Sequence, residues 1–200
     1  MSAPDYWNHN VHYQPVILAA VPHGCKAALD VGCGDGMLVR KLADRCAEVT
    51  GVDKNAHMIA LARERMSKIV NASLIEADFL TYPFKDDSFD FVCANTSLHH
   101  MDFGEALTKL VRLLRPGGQL AVVGLAKDKS PKDMLTSAAC LPLVLSYRMT
   151  RKKGGPGGVP IADPDMSWGE VRAAAKQMLP GARYRRHMMW RYSLLWRKPG

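Results

Sequence analysis

The sequence predicts an α/β fold, a mostly parallel sheet covered by helices on both faces, and three observations carry that reading. Short apolar runs alternate with stretches whose apolar residues fall at helical spacing. The first such run, Lys26 to Val31, stops at a cluster of glycines. Several runs are apolar at successive positions, as strands buried on both faces must be. The chain has 200 residues, of which 48% are hydrophobic, enough for one domain with a core of its own.

The elements follow in order. Lys26 to Val31 reads as a buried strand and Met37 to Cys46 as a helix. Glu48 to Val52 is a second strand, ended by Asp53. Asn55 to Met66 is a helix whose first residue is a cap of the favoured type. Ser73 to Glu76 is a short strand, and Phe91 to Ala94 is a central one. Gly104 to Leu114 places Leu107, Leu110, Val111 and Leu114 on one helical face. Arg115-Pro-Gly-Gly118 is a turn that a helix would not continue through, and Gln119 to Gly124 is a further strand. Pro131 to Arg148 reads as one or two apolar helices interrupted at Pro142. Arg151 to Pro160 has four glycines, two prolines and three cations, a loop composition. Ser167 to Leu179 opens with a capping-box pattern, Ser167 and Glu170. Tyr184 to Met189 and Tyr192 to Trp196 alternate as two closing strands.

Composition bounds the function classes. No apolar run is long enough to span a bilayer. The chain start has no basic region followed by an apolar stretch, so no secretory leader is expected and a cytoplasmic protein is. Five cysteines, an odd count without a C-x-x-C pair, read as buried thiols rather than disulfides or zinc ligands. The formal charge of +8 is uneven, with the excess between Arg148 and Lys198. It reads as a solvated basic surface, with nucleic acid the alternative partner.

The chemistry concentrates at Leu29-Asp-Val-Gly-Cys-Gly-Asp-Gly36. A buried strand delivers the chain into a glycine turn and a helix follows. Glycine permits positive φ and close approach of a ligand to the backbone, and the carboxyl end of such strands is where ligands bind. The spacing is G-x-G-x-G, with Met37 where the dinucleotide fingerprint needs its third glycine. Asp30 sits just before the turn, poorly placed beside a pyrophosphate but suited to an ammonium group. A ligand with an amino acid moiety is favoured over NAD, which stays a third-ranked reading.

Leu29 to Gly36 resembles motif I of the class I S-adenosylmethionine (SAM)-dependent methyltransferases, of the small-molecule, methyltransferase domain 11 type. Val49 to Asp53, Glu76 to Phe79, Phe89 to Asn95 with Leu98 to Asp102, and Leu114 to Gly118 resemble the family's later motifs in order. The resemblance covers roughly residues 27–124. It implies a Rossmann-like, doubly wound, three-layer α/β/α sandwich with seven strands in the order 3-2-1-4-5-7-6, the last antiparallel. It also implies SAM as cofactor and S-adenosylhomocysteine as product. The expected cofactor residues are Tyr13, Asp30, Gly32, Gly34, Asp53, Lys54, Met58, Asp78, Phe79 and Asn95. Asp53 is assigned to the ribose hydroxyls, Asp78 to the adenine amino group, and Tyr13 or His12 to the SAM carboxylate or the enclosure of its methyl.

The resemblance divides the single domain into a cap over the cofactor (1–24), the SAM-binding core (25–125), an acceptor lid (126–168) and a closing helix with two strands (169–200). Met134, Leu135, Leu141, Leu145, Tyr147, Met149 and Met166 are expected to line an apolar acceptor pocket. His99 and His100, at the exit of the fourth strand, are the candidate catalytic bases, since imidazole suits that role near neutrality.

Asn95-Thr-Ser-Leu98 departs from the Pro-Pro-aromatic sequence of enzymes that methylate exocyclic amines. No Pro-Cys pair for cytosine C5 chemistry and no metal-ligand cluster stands out. A small acceptor, aromatic or heterocyclic and reacting through O, N or C, is expected. An RNA methyltransferase and a non-catalytic SAM-binding protein are the alternatives, and monomer and homodimer stay open.

Overall fold

The computed structural model describes residues 6–150, 154–158 and 162–200. Two short helices, α1 (His9–His12) and α2 (Gln14–Leu18), precede a regular alternation. It runs β1 (Ala27–Val31), α3 (Met37–Ala43), β2 (Glu48–Asp53), α4 (Ala56–Met66), β3 (Ala72–Glu76), β4 (Phe89–Asn95), α5 (Phe103–Leu113) and β5 (Leu114–Leu125). There follow α6 (Pro131–Ala139), α7 (Leu141–Thr150), α8 (Trp168–Met178), β6 (Arg183–Arg186) and β7 (Arg191–Arg197). The seven strands form one sheet in the order β3-β2-β1-β4-β5-β7-β6. All neighbours are parallel except β7, which runs antiparallel to both β5 and β6. Order and orientation match those expected.

Each face of the sheet carries its own core. On β4, Phe91 and Cys93 join one cluster with Ile17, Leu38, Leu42 and Ile59 of the helices on that side. Val92 and Ala94 join the other, with Leu107 and Leu110 of α5 and Val171 and Ala175 of α8. Strand residues alternate between faces, so burial on both sides requires the unbroken apolar run seen in the sequence. Asn55 caps α4 by accepting from the His57 and Met58 amides. Ser167 and Glu170 form a reciprocal capping box at the start of α8. Four of the five cysteines are buried and Cys140 is half-buried.

Three expected boundaries shift. The turn at Arg115–Gly118 lies inside β5 rather than before it: Leu114 pairs with Phe89 and Gln119 with Phe91, so the extra residues loop out as a bulge. Gly117, at φ 77°, takes the bend, and its amide donates to Lys198 O at 3.0 Å. The break between α6 and α7 falls at Cys140, and Pro142 sits in the first turn of α7, where its missing N–H costs nothing. Strand β6 stops at Arg186, because Met189 and Trp190, both at φ 57°, form the tight connection to β7. Among the described residues no helix is long and apolar enough to cross a membrane.

Candidate active site

The parallel strands end at one edge, and a cleft of about 690 Å³ opens there. Its floor is the glycine turn after β1. Gly32 and Cys33 donate their amides to Val52 O at 2.8 and 3.0 Å, which ties the turn to β2. Gly32 holds φ 71°, and a Cβ there would collide with Ser97 at the exit of β4. Gly34, at φ 55°, has nothing within 4 Å of the place a Cβ would take. A side chain there would occupy the cleft, so the turn leaves room for a ligand against its backbone.

Carboxylates surround this floor. Asp53, at the end of β2, accepts from the Gly34 amide on Oδ2 and from the Asn55 amide on Oδ1, both at 2.9 Å. Asp30 is 1% exposed and faces the cleft. Burial pushes its carboxyl up to about 7, the Asp53 charge adds to the rise, and the Cys93 thiol, donating at 3.5 Å, opposes it. Asp78 caps its own turn, accepting from the Leu80 amide at 2.8 Å. Phe79, Lys54 and Met58 also line the cleft. Phe79 is mostly core: the residue is 3% exposed, with Lys109 Nζ 5.2 Å from its ring centroid.

The other end of the cleft is built at the exit of β4. Thr96 holds φ 60°, a strained value for a β-branched residue, and directs the chain into a single 3-10 turn, Leu98–His100. The His99 and His100 rings lie 4.0 Å apart between centroids. Burial, then the charges of His100 and Arg191, lower His99 to about 4, so its ring is neutral at pH 7. Its Nδ1 is buried without a hydrogen-bond partner. Burial and Lys54 also lower His100. Asn95 Nδ2 donates to Asn10 O at 3.2 Å, which fixes α1 across the cleft.

The cleft thus brings together Asp30, Gly32, Gly34, Asp53, Lys54, Met58, Asp78, Phe79, Asn95, His99 and His100. Tyr13 is placed elsewhere, a correction to the sequence expectation. Its hydroxyl donates to Met188 O at 2.9 Å, and with His12 it lines a separate cavity of about 370 Å³ between α6–α7 and the β6–β7 connection. The short helix α1 presents Asn8, His9, Asn10 and Val11 to the cleft instead.

The apolar acceptor wall is a second correction. Met134, Leu135, Leu141 and Leu145 are 59%, 74%, 45% and 53% exposed and line neither cavity. Thr136, Ser137, Cys140 and Val144 face inward from the same helices. Met166 packs against the core, and the side chains of Tyr147 and Met149 lie outside the described residues. Of the glycine-rich stretch 151–160, residues 154–158 are described. Gly154, Gly155 and Pro156 border the cleft, and the Gly154 amide donates to Trp7 O at 2.8 Å.

Two cleft residues, Asp35 and Arg191, escaped the sequence reading. Asp35 and Arg65 form a buried ion pair at 2.6 Å, and the Tyr6 hydroxyl donates to Asp35 at 3.2 Å. Asp35 stands inside the glycine turn and could have been singled out there. Arg191 opens β7, is 8% exposed and faces the cleft. In the sequence it is one arginine among many. Part of the basic C-terminal third is engaged internally: Arg186 with Asp128 and Asp133, Arg197 with Gly117 O, and Lys198 with Asp87 and Leu114 O. Among the described residues, no three His, Cys, Asp or Glu side chains gather as a metal site.

The methyltransferase domain family matches residues 29–122. An uncharacterized methyltransferase of Mycobacterium bovis, Mb0092, is 35% identical over 197 residues, covering 96% of this chain and 98% of its own. A malonyl-[acyl-carrier protein] O-methyltransferase of Enterobacter lignolyticus is 35% identical over 136 residues, 66% of this chain and 53% of its own. The N-methyltransferase NodS of Bradyrhizobium japonicum, solved with S-adenosylhomocysteine, superposes with a TM-score of 0.63 at 18% identity, covering 95% of this chain and 86% of that one. With the strand order, the glycine turn and a relative similar along nearly its whole length, the chain belongs to the class I SAM-dependent methyltransferases.

Proposed function

We propose that this methyltransferase acts on a small molecule with an apolar, aromatic or heterocyclic body, bound in the same cleft as SAM. One observation carries the reading: a single continuous cleft joins the acid-lined glycine turn to a second end lined by Met101, Leu125, His99 and Arg191. Its volume lies near the middle of the ~300–1,000 Å³ usual for ligand pockets. The relative that acts on malonyl-[acyl-carrier protein] supports an acceptor other than nucleic acid.

The residues fit the cofactor. Gly34 leaves space where a side chain would stand. Four carboxylates, Asp30, Asp35, Asp53 and Asp78, line the cleft, and SAM carries a sulfonium and an ammonium. Asp53 would take the ribose hydroxyls on its remaining lone pairs, Asp78 the adenine amino group, and Asp30 the ammonium. When bound, SAM supplies an electrophilic methyl carbon on a positively charged sulfur.

The chain's own work is then alignment and exclusion of water. The turn holds the donor on the β1 side, and the β4 exit and β7 hold the acceptor in line with it. Proximity and orientation of this kind contribute up to about 7–11 kcal/mol in favourable cases. Tyr6, residues 8–11 and residues 154–156 border the cleft and restrict solvent. His99 is neutral but, at about 4, a weak proton acceptor. It is suited to hydrogen-bond an acceptor through its unfilled Nδ1, and to take a proton only once a bound group raises it.

The test is calorimetric titration with SAM, S-adenosylhomocysteine and NAD, followed by a methyl-transfer screen over small aromatic and heterocyclic acceptors and over RNA. His99→Ala and His100→Ala are expected to lower turnover more than SAM affinity. Near-unchanged turnover in both would remove the histidines from catalysis. Salt-dependent methylation of RNA alone would overturn the small-molecule reading.

A further inference from the structure

Resting on that reading, we infer that Arg191 is the acceptor-recognition residue and that the acceptor carries a carboxylate, which the Arg191 guanidinium anchors at the far end of the cleft. Arg191 is buried and faces the cleft. Its hydrogen bonds go to neutral oxygens, with Nη1 donating to Met189 O at 2.5 Å and Nη2 to the Asn10 side chain at 2.6 Å. Its Nε is buried with no partner. Among the described residues no acidic side chain pairs with it.

That arrangement is costly unless something answers it. A buried charge is ordinarily paired, and an orphaned donor on a charged group is worse than one on a neutral group. Of the two other well-buried cations, Arg65 pairs with Asp35, and Lys109 donates to the carbonyls of Leu80 and Tyr82 at 2.9 and 2.6 Å with the charges of Asp78 and Asp86 acting on it. Burial lowers Arg191 only to about 10, so it keeps its charge at neutral pH. Guanidinium recognises a carboxylate through planar, paired N–H donors, and Nε is one of the donors that such a fork uses.

Position separates this anion from the cofactor's own carboxylate. In the sheet order β1-β4-β5-β7, Arg191 starts a strand three places from the glycine turn, ~14 Å at the usual strand spacing. Asn10 stands between the two regions, taking Asn95 Nδ2 on its carbonyl and Arg191 Nη2 on its side chain. His99, whose ring feels the Arg191 charge, lines the same cleft, and its Nδ1 is buried without a partner. Two cleft residues therefore each carry a buried polar atom without a partner, and neither is among the acids that suit the cofactor.

The experiment titrates benzoate and benzamide, a matched acid and amide, into the protein saturated with S-adenosylhomocysteine. Wild type is expected to bind benzoate at least about tenfold more tightly, as a hydrogen bond to a charged group allows. Arg191→Gln is expected to abolish that preference, and Arg191→Lys to retain part of it. Both variants should bind S-adenosylhomocysteine as wild type does, which also shows that they fold. Equal binding of acid and amide by wild type overturns the proposal, and that arm needs no variant. So does an Arg191→Gln protein that loses at least tenfold in S-adenosylhomocysteine affinity while binding its decarboxylated analogue normally, since Arg191 would then hold the cofactor. Failure of wild type to bind S-adenosylhomocysteine at all is a failure of the cofactor reading instead.

Discussion

The two ends of the cleft are made in opposite ways. The end at β1 and β2 is built from residues close together in the chain: Asp30 to Gly36 supply the turn, and Asp53 reaches Gly34 across 19 positions. The end at β4 and β7 is assembled from distant pieces, with Asn10 and Arg191 meeting across 181 positions. The first uses backbone amides and carboxylates whose placement follows from one strand–turn–helix unit. The second uses side chains whose placement depends on the whole sheet being correctly ordered. A cofactor common to a family suits the first construction, and an acceptor that differs between enzymes suits the second.

Substitutions at the local end should therefore have the larger effects. Gly32→Ala is expected to be the most damaging. It places a Cβ at φ 71° and against Ser97. The left-handed conformation costs about 1–2 kcal/mol for a residue with a side chain, and overpacking a further ~1–3. Against a typical total stability of ~5–15 kcal/mol, the melting temperature should fall steeply and SAM binding should vanish. A stable variant with wild-type affinity would show that the turn is not the floor of the site.

Asp53→Ala comes next. It removes the acceptor for two backbone amides as well as the proposed ribose contact. Charged hydrogen bonds contribute ~1.5–3 kcal/mol each, so a loss of about 10–100-fold in SAM affinity is expected by calorimetry. A change under threefold would mean that Asp53 only braces the turn.

This contrast also explains what the sequence disclosed. Asp30, Gly32, Gly34 and Asp53 were legible because short-range geometry fixes them: a strand ends, a glycine permits the turn, an acid follows at a set distance; Asp78 was singled out only by the resemblance. The strand order needed the resemblance, since alternation alone gives a parallel sheet without its sequence of neighbours. Tyr13 was misplaced because one residue decides which side of a four-residue helix faces the cleft, and α1 turns Asn10 rather than Tyr13 toward it. Leu135 and Leu145 were misassigned for a related reason. Helical spacing marks an apolar face but does not say what covers it. Arg191 carried no signal, because an arginine's burial depends on contacts made from 181 residues away.

A smaller effect distinguishes the two ends by pH. Asp30 sits near 7 in the free protein, and an ammonium beside it favours the ionised form. SAM binding should then release a proton, and affinity should rise with pH, by about tenfold between pH 6 and pH 8 for a group titrating near 7. Asp30→Asn should flatten that profile. Stability of the free protein is a poorer reporter, because the two ends oppose each other. Asp30, raised above its ordinary 3.8, binds more protons folded than unfolded, so it makes stability fall as pH rises from 4 to 7. His99, lowered from 6.5 to about 4, binds fewer, and makes stability rise across the same window. In His99→Gln the opposing contribution is gone, and the decline from Asp30 should become visible in denaturation measured from pH 4 to 7. An unchanged profile would place His99 in a more solvated setting than its burial implies.

The smallest effect belongs to the helices beside the proposed acceptor end, and it tests which of their faces is used. Met134→Ser and Leu135→Ser change side chains that are mostly in solvent already. Each should alter stability by no more than about 0.5 kcal/mol and leave turnover unchanged. Val144→Ala removes buried methyl groups from the wall of the cavity beside Tyr13. It should cost ~0.5–1.5 kcal/mol or more, as buried methyl deletions do. The opposite ranking, with Leu135→Ser abolishing activity and Val144→Ala silent, would mean that the apolar face now in solvent closes on the acceptor during turnover. Equal and negligible effects from all three would separate α6 and α7 from catalysis and leave the acceptor end to β4, β7 and α1.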